Sequence, residues 1–234
     1  MTEHIVKSFD DELDELTAEV ARMGGLAEQL LIDALDAVIT RDDACARDVI
    51  ARDREIDALQ RELERRVILL LALRQPMAAD LRRTFSALKT SGDLERIGDL
   101  AKNIAKRTLI LNESPPMALT RSVHRMGHAV SVMLKDVLDA YTSADVDLAI
   151  DVWRHDDEID AHYNSLFREL LTYMMEDAHT ITLCTHLLFM AKNLERIGDH
   201  TTNIAENIHF LVTGEELPES RQSATQVEDA EPRP

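Results

Sequence analysis

Apolar residues recur at alternating steps of three and four along much of the chain, which is the spacing of one face of an α-helix. The pattern is clearest near the end of each half of the sequence. In the first half the positions of this seam are Leu94, Ile97, Ala101, Ile104, Thr108 and Leu111. In the second half they are Leu183, Leu187, Met190, Leu194, Ile197, Thr201, Ile204, Ile208 and Leu211. Such seams predict long amphipathic helices that pack as antiparallel bundles.

The two halves of the sequence are copies of each other. Residues 91–105 read SGDLERIGDLAKNIA and residues 191–205 read AKNLERIGDHTTNIA, so LERIGD recurs at an offset of 100 residues. Further upstream, Arg-Met-Gly, Leu-Asp-Ala and Glu-Ile-Asp each recur at an offset of 103 residues. An internal repeat of this length predicts two similar folding units.

Each copy contains three predicted helices. In the first copy, Ser8 with Asp11 forms a capping pattern for helix 1, and Pro76 is a favoured first residue for helix 3. The predicted helices of this copy are about 8–40, 43–74 and 76–111. Those of the second copy are about 120–141, 145–175 and 178–212, and Gly214 is a natural stop signal.

These elements predict an all-α fold of six long helices, arranged as two tandem, sequence-related three-helix bundles. We expect the first repeat at residues 1–113 and the second at residues 117–214. Residues 215–234 carry an excess of acidic side chains and end in a proline-containing segment, so a disordered acidic tail is expected there.

Composition narrows the functional classes. Among the 234 residues, 44 are acidic and 26 are basic, a formal net charge of −18, which disfavours binding to nucleic acid and to anionic lipid. Two cysteines without a CxxC motif favour a reducing cytoplasm over a disulfide framework or a thiolate zinc site. The longest apolar run, Val67–Leu73, is far shorter than the ~20 residues that span a bilayer. No GxxxxGK(S/T), GxGxxG or GxSxG motif is present, so nothing indicates nucleotide binding or an acyl-transfer nucleophile.

Acidic side chains occur in pairs spaced four residues apart at equivalent places in both copies. Counted from the turn between the second and third helix of each copy, the pairs on the two helices come to nearly the same height. We therefore predict that four carboxylates converge in each bundle. The residues are Asp53, Asp57, Glu95 and Asp99 in the first copy, and Asp156, Asp160, Glu195 and Asp199 in the second.

The carboxylate pairs are candidate metal ligands, because like charges one helical turn apart repel each other unless a cation lies between them. An all-oxygen donor set suits magnesium, manganese or iron, and zinc is also possible. The alternative interpretation is a solvated acidic face that Arg96 and Arg196 balance. Glu206 and His209 have the ExxH spacing of di-iron bundles, but the first copy lacks a second such motif, and His209 suits the end of a helix.

The sequence resembles the PhoU family of bacterial regulators of phosphate uptake and the phosphate-starvation response, over about residues 4–216. The segments that carry the resemblance are 53–57, QPMAADLR at 75–82, DLERIGD at 93–99 with Asn103, NLERIGDH at 193–200, and NIAE at 203–206. The resemblance implies two three-helix repeats, no catalytic activity, and multinuclear metal sites at the eight carboxylates. The second copy departs from the pattern, because it lacks the DLR element and has Asn193 where the first copy has Asp93.

The resemblance also implies that the protein acts by contact. Its expected partners are the ATPase subunit of the phosphate ABC transporter, the phosphate-sensing membrane histidine kinase and a second copy of itself, with no membrane insertion of its own. The expected location is the cytoplasm, peripheral to the inner membrane through these partners. Two other classes stay open: a metal-dependent helical-bundle enzyme, either an oxidase or a phosphohydrolase, and a metal-storage or structural bundle.

Overall fold

The computed structural model describes residues 2–218, with side chains from Phe9 onward. This part of the chain is helical and contains no β-strand, which confirms the predicted all-α class. The predicted tail lies mostly outside the described residues. The helices are α1 (Thr2–Thr40), α2 (Asp43–Arg74), α3 (Ala78–Leu111), α4 (Thr120–Ser143), α5 (Val146–Glu176) and α6 (Ile181–Thr213), and a 3-10 turn (Ala178–Thr180) precedes α6.

Side-chain caps mark the starts of α2 and α5, and a glycine marks the end of α6. The carboxylate of Asp42 accepts a hydrogen bond from the backbone N–H of Ala44 at 2.8 Å, and Asp145 caps α5 by accepting from Leu148 at 3.0 Å. Gly214 ends α6 with a φ of 78°, a left-handed conformation that glycine adopts without strain.

Two predicted helix starts are wrong. Helix α1 begins at Thr2, so Ser8 lies inside the helix instead of capping it, because no glycine or proline interrupts residues 2–7. Helix α3 begins at Ala78 instead of Pro76. The left-handed conformation of Gln75 (φ 49°) and the extended Met77 place the proline in the turn between α2 and α3.

The six helices form two bundles that share one core. Helices α1, α2 and α3 pack against one another, and so do α4, α5 and α6. The two triplets join through contacts of α1 with α4 and of α3 with α6, which leaves α2 and α5 on the outside. The buried apolar side chains of both triplets form one hydrophobic cluster. Because the two triplets share this cluster, the division into a first repeat that ends at residue 113 and a second that begins at residue 117 stays a prediction.

Helices α3 and α6 run antiparallel at the centre of the molecule. Near the start of α3, the Nε of Arg82 donates to the carbonyl oxygen of Leu211, near the end of α6, at 3.3 Å. Near the end of α3, Arg107 contacts His186 at 3.3 Å and stacks on the ring of Phe189, both near the start of α6. The α2–α3 turn and the α5–α6 turn consequently lie at opposite ends of the molecule.

Helices α1 and α4 meet through two reciprocal contacts between a glycine and a leucine. A Cβ atom on Gly24 would lie 2.3 Å from Leu138, and a Cβ atom on Gly127 would lie 2.2 Å from Leu35. Both contacts join residues that correspond at the offset of 103, so each contact is the image of the other about an approximate internal twofold axis. The absence of a side chain on these glycines lets the two helices approach closely.

This close approach predicts that Gly24→Val lowers the free energy of unfolding by about 1–3 kcal/mol, because the new side chain overpacks Leu138. Gly25→Val is the matched control on the same helix, since nothing lies within 4 Å of a Cβ there. Urea denaturation followed by circular dichroism measures both. Equal stability of the two variants would contradict the assigned contact.

Candidate functional site

Four carboxylates gather in each triplet, where its two last helices meet. The first cluster comprises Asp53, Asp57, Glu95 and Asp99, between α2 and α3. The second cluster comprises Asp156, Asp160, Glu195 and Asp199, between α5 and α6. Each cluster contains the carboxylates that the repeat spacing had grouped, and both lie near the middle of long helices.

The carboxylates of each cluster lie close enough for their negative charges to raise the pKa of a neighbouring member. Burial raises the pKa of Glu95, and the negative charges of Asp99, Asp57 and Asp53 raise it further, while Arg96 opposes the shift.

The second cluster behaves in the same way. Burial raises the pKa of Asp199, with further contributions from Glu195, Asp156 and Asp160 against the opposing charge of Lys192.

The glycine inside each LERIGD segment allows a neighbouring helix to approach closely: α2 approaches α3 at Gly98, and α5 approaches α6 at Gly198. A Cβ atom on Gly98 would lie 2.9 Å from Ile56 and 3.6 Å from an oxygen of Asp53. At the equivalent Gly198, it would lie 3.2 Å from an oxygen of Asp156. As a result, these two aspartates are buried, with only 3% and 5% of their surface exposed, and they face the carboxylates of the neighbouring helix.

A lysine that the sequence analysis did not single out lies inside the first cluster. The Nζ atom of Lys102 is 2.5 Å from Oδ2 of Asp53 and 2.5 Å from Oδ1 of Asp99, so it joins α2 to α3. Burial lowers the pKa of Lys102, but the two hydrogen bonds outweigh it and the net shift is upward. Arg96, which the alternative interpretation invoked, is more distant, with its Nε 3.5 Å from Glu95.

The second cluster has a different arrangement of positive charge. The residue equivalent to Lys102 is Thr202, whose hydroxyl donates to the backbone oxygen of Gly198 at 3.1 Å. Lys192 pairs with Oε1 of Glu195 and lies over the ring of Tyr163. The other oxygen of Glu195, Oε2, is buried and has no hydrogen-bond partner.

The donor chemistry of the clusters bears on metal binding. Both clusters offer carboxylate oxygens only, which suits hard cations. Within residues 9–218, no three Asp, Glu, His or Cys side chains are already arranged to ligate one ion. The second cluster fits a cation through the buried, unpaired Oε2 of Glu195. The first cluster fits one less well, because the ammonium of Lys102 lies between Asp53 and Asp99.

The remaining motif residues make separate contacts. Oε1 of Glu206 accepts a hydrogen bond from Trp153 at 3.2 Å, and His209 contacts the backbone oxygen of Glu215 at 2.9 Å, so the ExxH pair does not act as one ligand set. The side chain of Asp93 on α3 reaches α6, where its Oδ1 lies 3.0 Å from Nδ1 of His200. Asn193, at the equivalent position of the second copy, has a buried side-chain nitrogen without a hydrogen-bond partner.

The fold and the clusters define a class of protein: an all-α chain of two homologous three-helix units, each with paired carboxylates between its last two helices. A family model described as the PhoU domain matches this chain twice, at residues 20–108 and 123–208. The chain belongs to the PhoU family.

Curated relatives and solved structures agree with this assignment. The chain is 62% identical over 222 residues to a phosphate-specific transport system accessory protein PhoU homolog of Caulobacter vibrioides, covering 94% of this chain and 96% of the relative. It is 50% identical to the protein of the same description from Xylella fastidiosa, with 94% and 91% covered. The crystal structure of PhoU from Pseudomonas aeruginosa matches with a TM-score of 0.86 at 38% identity, covering 88% of this chain and 100% of that one.

The raised pKa of Glu95 has a consequence for stability. Between the ordinary pKa of a glutamate, near 4.5, and the raised value, the folded chain retains a proton that the unfolded chain has lost. The free energy of unfolding therefore falls as the pH rises through this interval and stays lower at neutral pH.

Glu95→Gln is accordingly expected to raise the Tm of the metal-free protein at about pH 7, and this gain should disappear at about pH 4, where the carboxyl is protonated in both states. Differential scanning fluorimetry in EDTA measures the shift. Glu113→Gln, at an exposed position outside the clusters, is the control. A lower Tm for Glu95→Gln at pH 7 would contradict the repulsion assigned to this cluster.

Proposed function

We propose that this chain is a non-enzymatic negative regulator of phosphate uptake and of the phosphate-starvation response. The observation that carries the proposal is the match of both repeats to the PhoU domain, together with relatives that are named as accessory proteins of phosphate-specific transport. A crystal structure described as the phosphate transport system regulatory protein PhoU from Streptococcus pneumoniae, with a TM-score of 0.83 at 34% identity, adds support.

In this proposal the protein acts in the cytoplasm by contact, with the ATPase subunit of the phosphate ABC transporter, with the phosphate-sensing histidine kinase and with a second copy of itself. Exposed apolar side chains at both ends of the molecule support a contact function, since large exposed apolar patches commonly mark binding surfaces. Leu73 and Met77 at one end are 78% and 80% exposed, and Met175 at the other end is 86% exposed.

Membrane association in this proposal is indirect. No helix in the described part of the chain combines the length and apolarity that crossing a bilayer requires. In the proposal the chain meets the inner membrane through the transporter and the kinase, and relatives named as accessory proteins of a phosphate-specific transport system support a link to the transport machinery.

The carboxylate clusters are proposed to bind divalent or trivalent metal ions, with iron, manganese, magnesium and zinc as candidates. The proposed ligands are Asp53, Asp57, Glu95, Asp99, Asp156, Asp160, Glu195 and Asp199. A bound cation would neutralise the repulsion within a cluster and link the two helices that carry it, α2 with α3 or α5 with α6. Metal occupancy would thereby change the stability of the faces that partners contact.

Deletion of the gene tests the regulatory proposal. A phosphate-starvation reporter is expected to become active in phosphate-rich medium in the deletion strain, and the wild-type gene is expected to restore repression. An unchanged reporter after deletion would overturn the proposal.

Complementation with Glu95→Ala/Asp99→Ala/Glu195→Ala/Asp199→Ala then tests the clusters, and this variant is expected to fail to restore repression while accumulating normally. Restoration by the quadruple variant would remove the clusters from signalling. The control replaces four exposed carboxylates elsewhere, namely Asp10, Glu113, Asp147 and Glu169.

A further inference from the structure

We propose that the cleft between α4 and α5 receives an arginine side chain of a partner protein. The cleft has a volume of about 380 Å³, and its lining includes the apolar Val132, Met133 and Val152 together with Asp136 and Asp151. It is separate from the second carboxylate cluster, which lies between α5 and α6. The inference goes beyond the proposed function and involves no metal ion.

The equivalent position of the first repeat already holds a guanidinium group between two helices. Nη1 of Arg52 on α2 donates to Oδ2 of Asp33 on α1 at 2.7 Å and to Oδ2 of Asp48 at 3.3 Å. The other oxygen of Asp33 accepts a hydrogen bond from the side chain of Gln29 at 2.8 Å. Both oxygens of Asp33 are therefore paired, and the Arg52 side chain is only 28% exposed. This arrangement of carboxylates thus accepts an arginine.

The second repeat retains these acceptors but not their donors. At the offset of 103 residues, the two aspartates recur as Asp136 and Asp151. The glutamine is replaced by Val132, which has no side-chain donor, and the arginine is replaced by His155. Nδ1 of His155 contacts the backbone oxygen of Asp151 at 2.7 Å, so the ring is engaged with its own helix. The cleft of the second repeat therefore has the carboxylates of an arginine site without the arginine.

The basic side chains beside the cleft do not replace the missing arginine. Lys135 is close enough for the charge of Asp136 to act on it, but its ammonium group donates to Asp139 at 2.5 Å. Arg154 pairs with Asp151 on its own helix, at 3.9 Å, and is 43% exposed. Within residues 9–218, no side chain donates a hydrogen bond to Asp136 or forms an ion pair with it. The Asp136 carboxylate is therefore accessible to an incoming cation.

An arginine side chain fits the cleft in charge and in shape. Its planar guanidinium binds carboxylates through parallel hydrogen bonds, and its methylene stem packs on apolar surface. Val132 is 45% exposed and offers such a surface beside Asp136. The formal net charge of −18 attracts cationic segments over longer distances. Because the lining is partly apolar, an arginine flanked by apolar residues of a protein gains more from the cleft than a free, well-solvated cation.

The test uses the amidated tripeptide acetyl-Leu-Arg-Leu and the same peptide with citrulline, which retains the shape of arginine without its charge. Titration of the ¹⁵N-labelled full-length protein, followed by two-dimensional NMR, measures the affinity and locates the peptide. The arginine peptide is expected to shift amide signals of α4 and α5 around Asp136, and to bind about fivefold more tightly than the citrulline peptide. This comparison needs only the wild-type protein, so it does not depend on the folding of a variant.

Variants test the carboxylate and the missing donors separately. Asp136→Asn is expected to weaken binding of the arginine peptide about fivefold. Asp147→Asn, at an exposed position outside the cleft, is expected to leave binding unchanged. Val132→Gln/His155→Arg restores the donors of the first repeat, and it is expected to abolish binding because its own guanidinium then occupies the cleft. Circular dichroism melting verifies that each variant is folded.

Three results would overturn the inference: equal affinity for the two peptides, unchanged binding in folded Asp136→Asn, and signal shifts confined to helices other than α4 and α5. Binding of acetylarginine amide as tightly as the tripeptide would overturn the assignment of the arginine to a protein. The reporter experiment addresses a different question, so the proposed regulatory role is decided independently of these outcomes.

Discussion

Replacing Ile104 with alanine is expected to lower the free energy of unfolding by about 2–5 kcal/mol. Ile104 lies on α3, has none of its surface exposed and belongs to the core that both bundles share. Its truncation removes buried methyl groups and leaves a cavity that long, packed helices cannot easily close. Because α3 packs against α1, α2 and α6, the loss should affect the whole molecule instead of one repeat.

Ile110→Ala on the same helix is the matched control, since Ile110 is 43% exposed. We expect a change within about 0.5 kcal/mol for this surface position. Urea unfolding monitored by circular dichroism gives both values. Similar losses in the two variants, or an Ile104→Ala protein that unfolds in two separated steps, would contradict a single shared core.

Lys102→Met is expected to lower the free energy of unfolding of the metal-free protein by about 2–3 kcal/mol, near the lower limit for breaking a buried ion pair. The carboxylate of Asp53 would remain buried without its principal cation. The loss stays below that of a fully buried pair because Asp99 is 32% exposed and water can screen it.

A double-mutant cycle isolates this interaction. Asp53→Asn combined with Lys102→Met is expected to be more stable than Lys102→Met alone, because the uncompensated charge is then removed. Lys106→Met is the control for loss of a lysine from α3. Additive effects of the two changes, measured by urea unfolding in EDTA, would contradict the pairing of Asp53 with Lys102.

Part of the fold was predictable because local chemistry determines some of the helix ends, although the signals at Ser8 and Pro76 did not mark the starts of α1 and α3. Asp42 and Gly214 are typical capping and stop residues, and the structure uses both in those roles. The packing of α3 on α6 was harder to predict from the sequence. An apolar seam indicates that a helix has a buried face, but it does not identify the helix that covers it.

The candidate site was predictable in its membership but not in its electrostatics. The four-residue spacing and the repeat identified the carboxylates that converge. The burial of Asp53 depends on how closely α2 approaches Gly98, which is a property of tertiary packing. The rotamer of Lys102 decides whether it faces solvent or the cluster, and its position three residues after Asp99 permits either.

The antiparallel pairing of α3 with α6 also constrains the order in which the protein can fold during synthesis. Arg82 and its acceptor Leu211 are 129 residues apart, so α3 leaves the ribosome well before the helix that covers it. At about 5–20 residues per second, translation of those intervening residues takes several seconds or longer. During that interval α3 lacks the helix that packs on it in the folded chain, so we expect the first repeat to complete its packing only after the second has been synthesised.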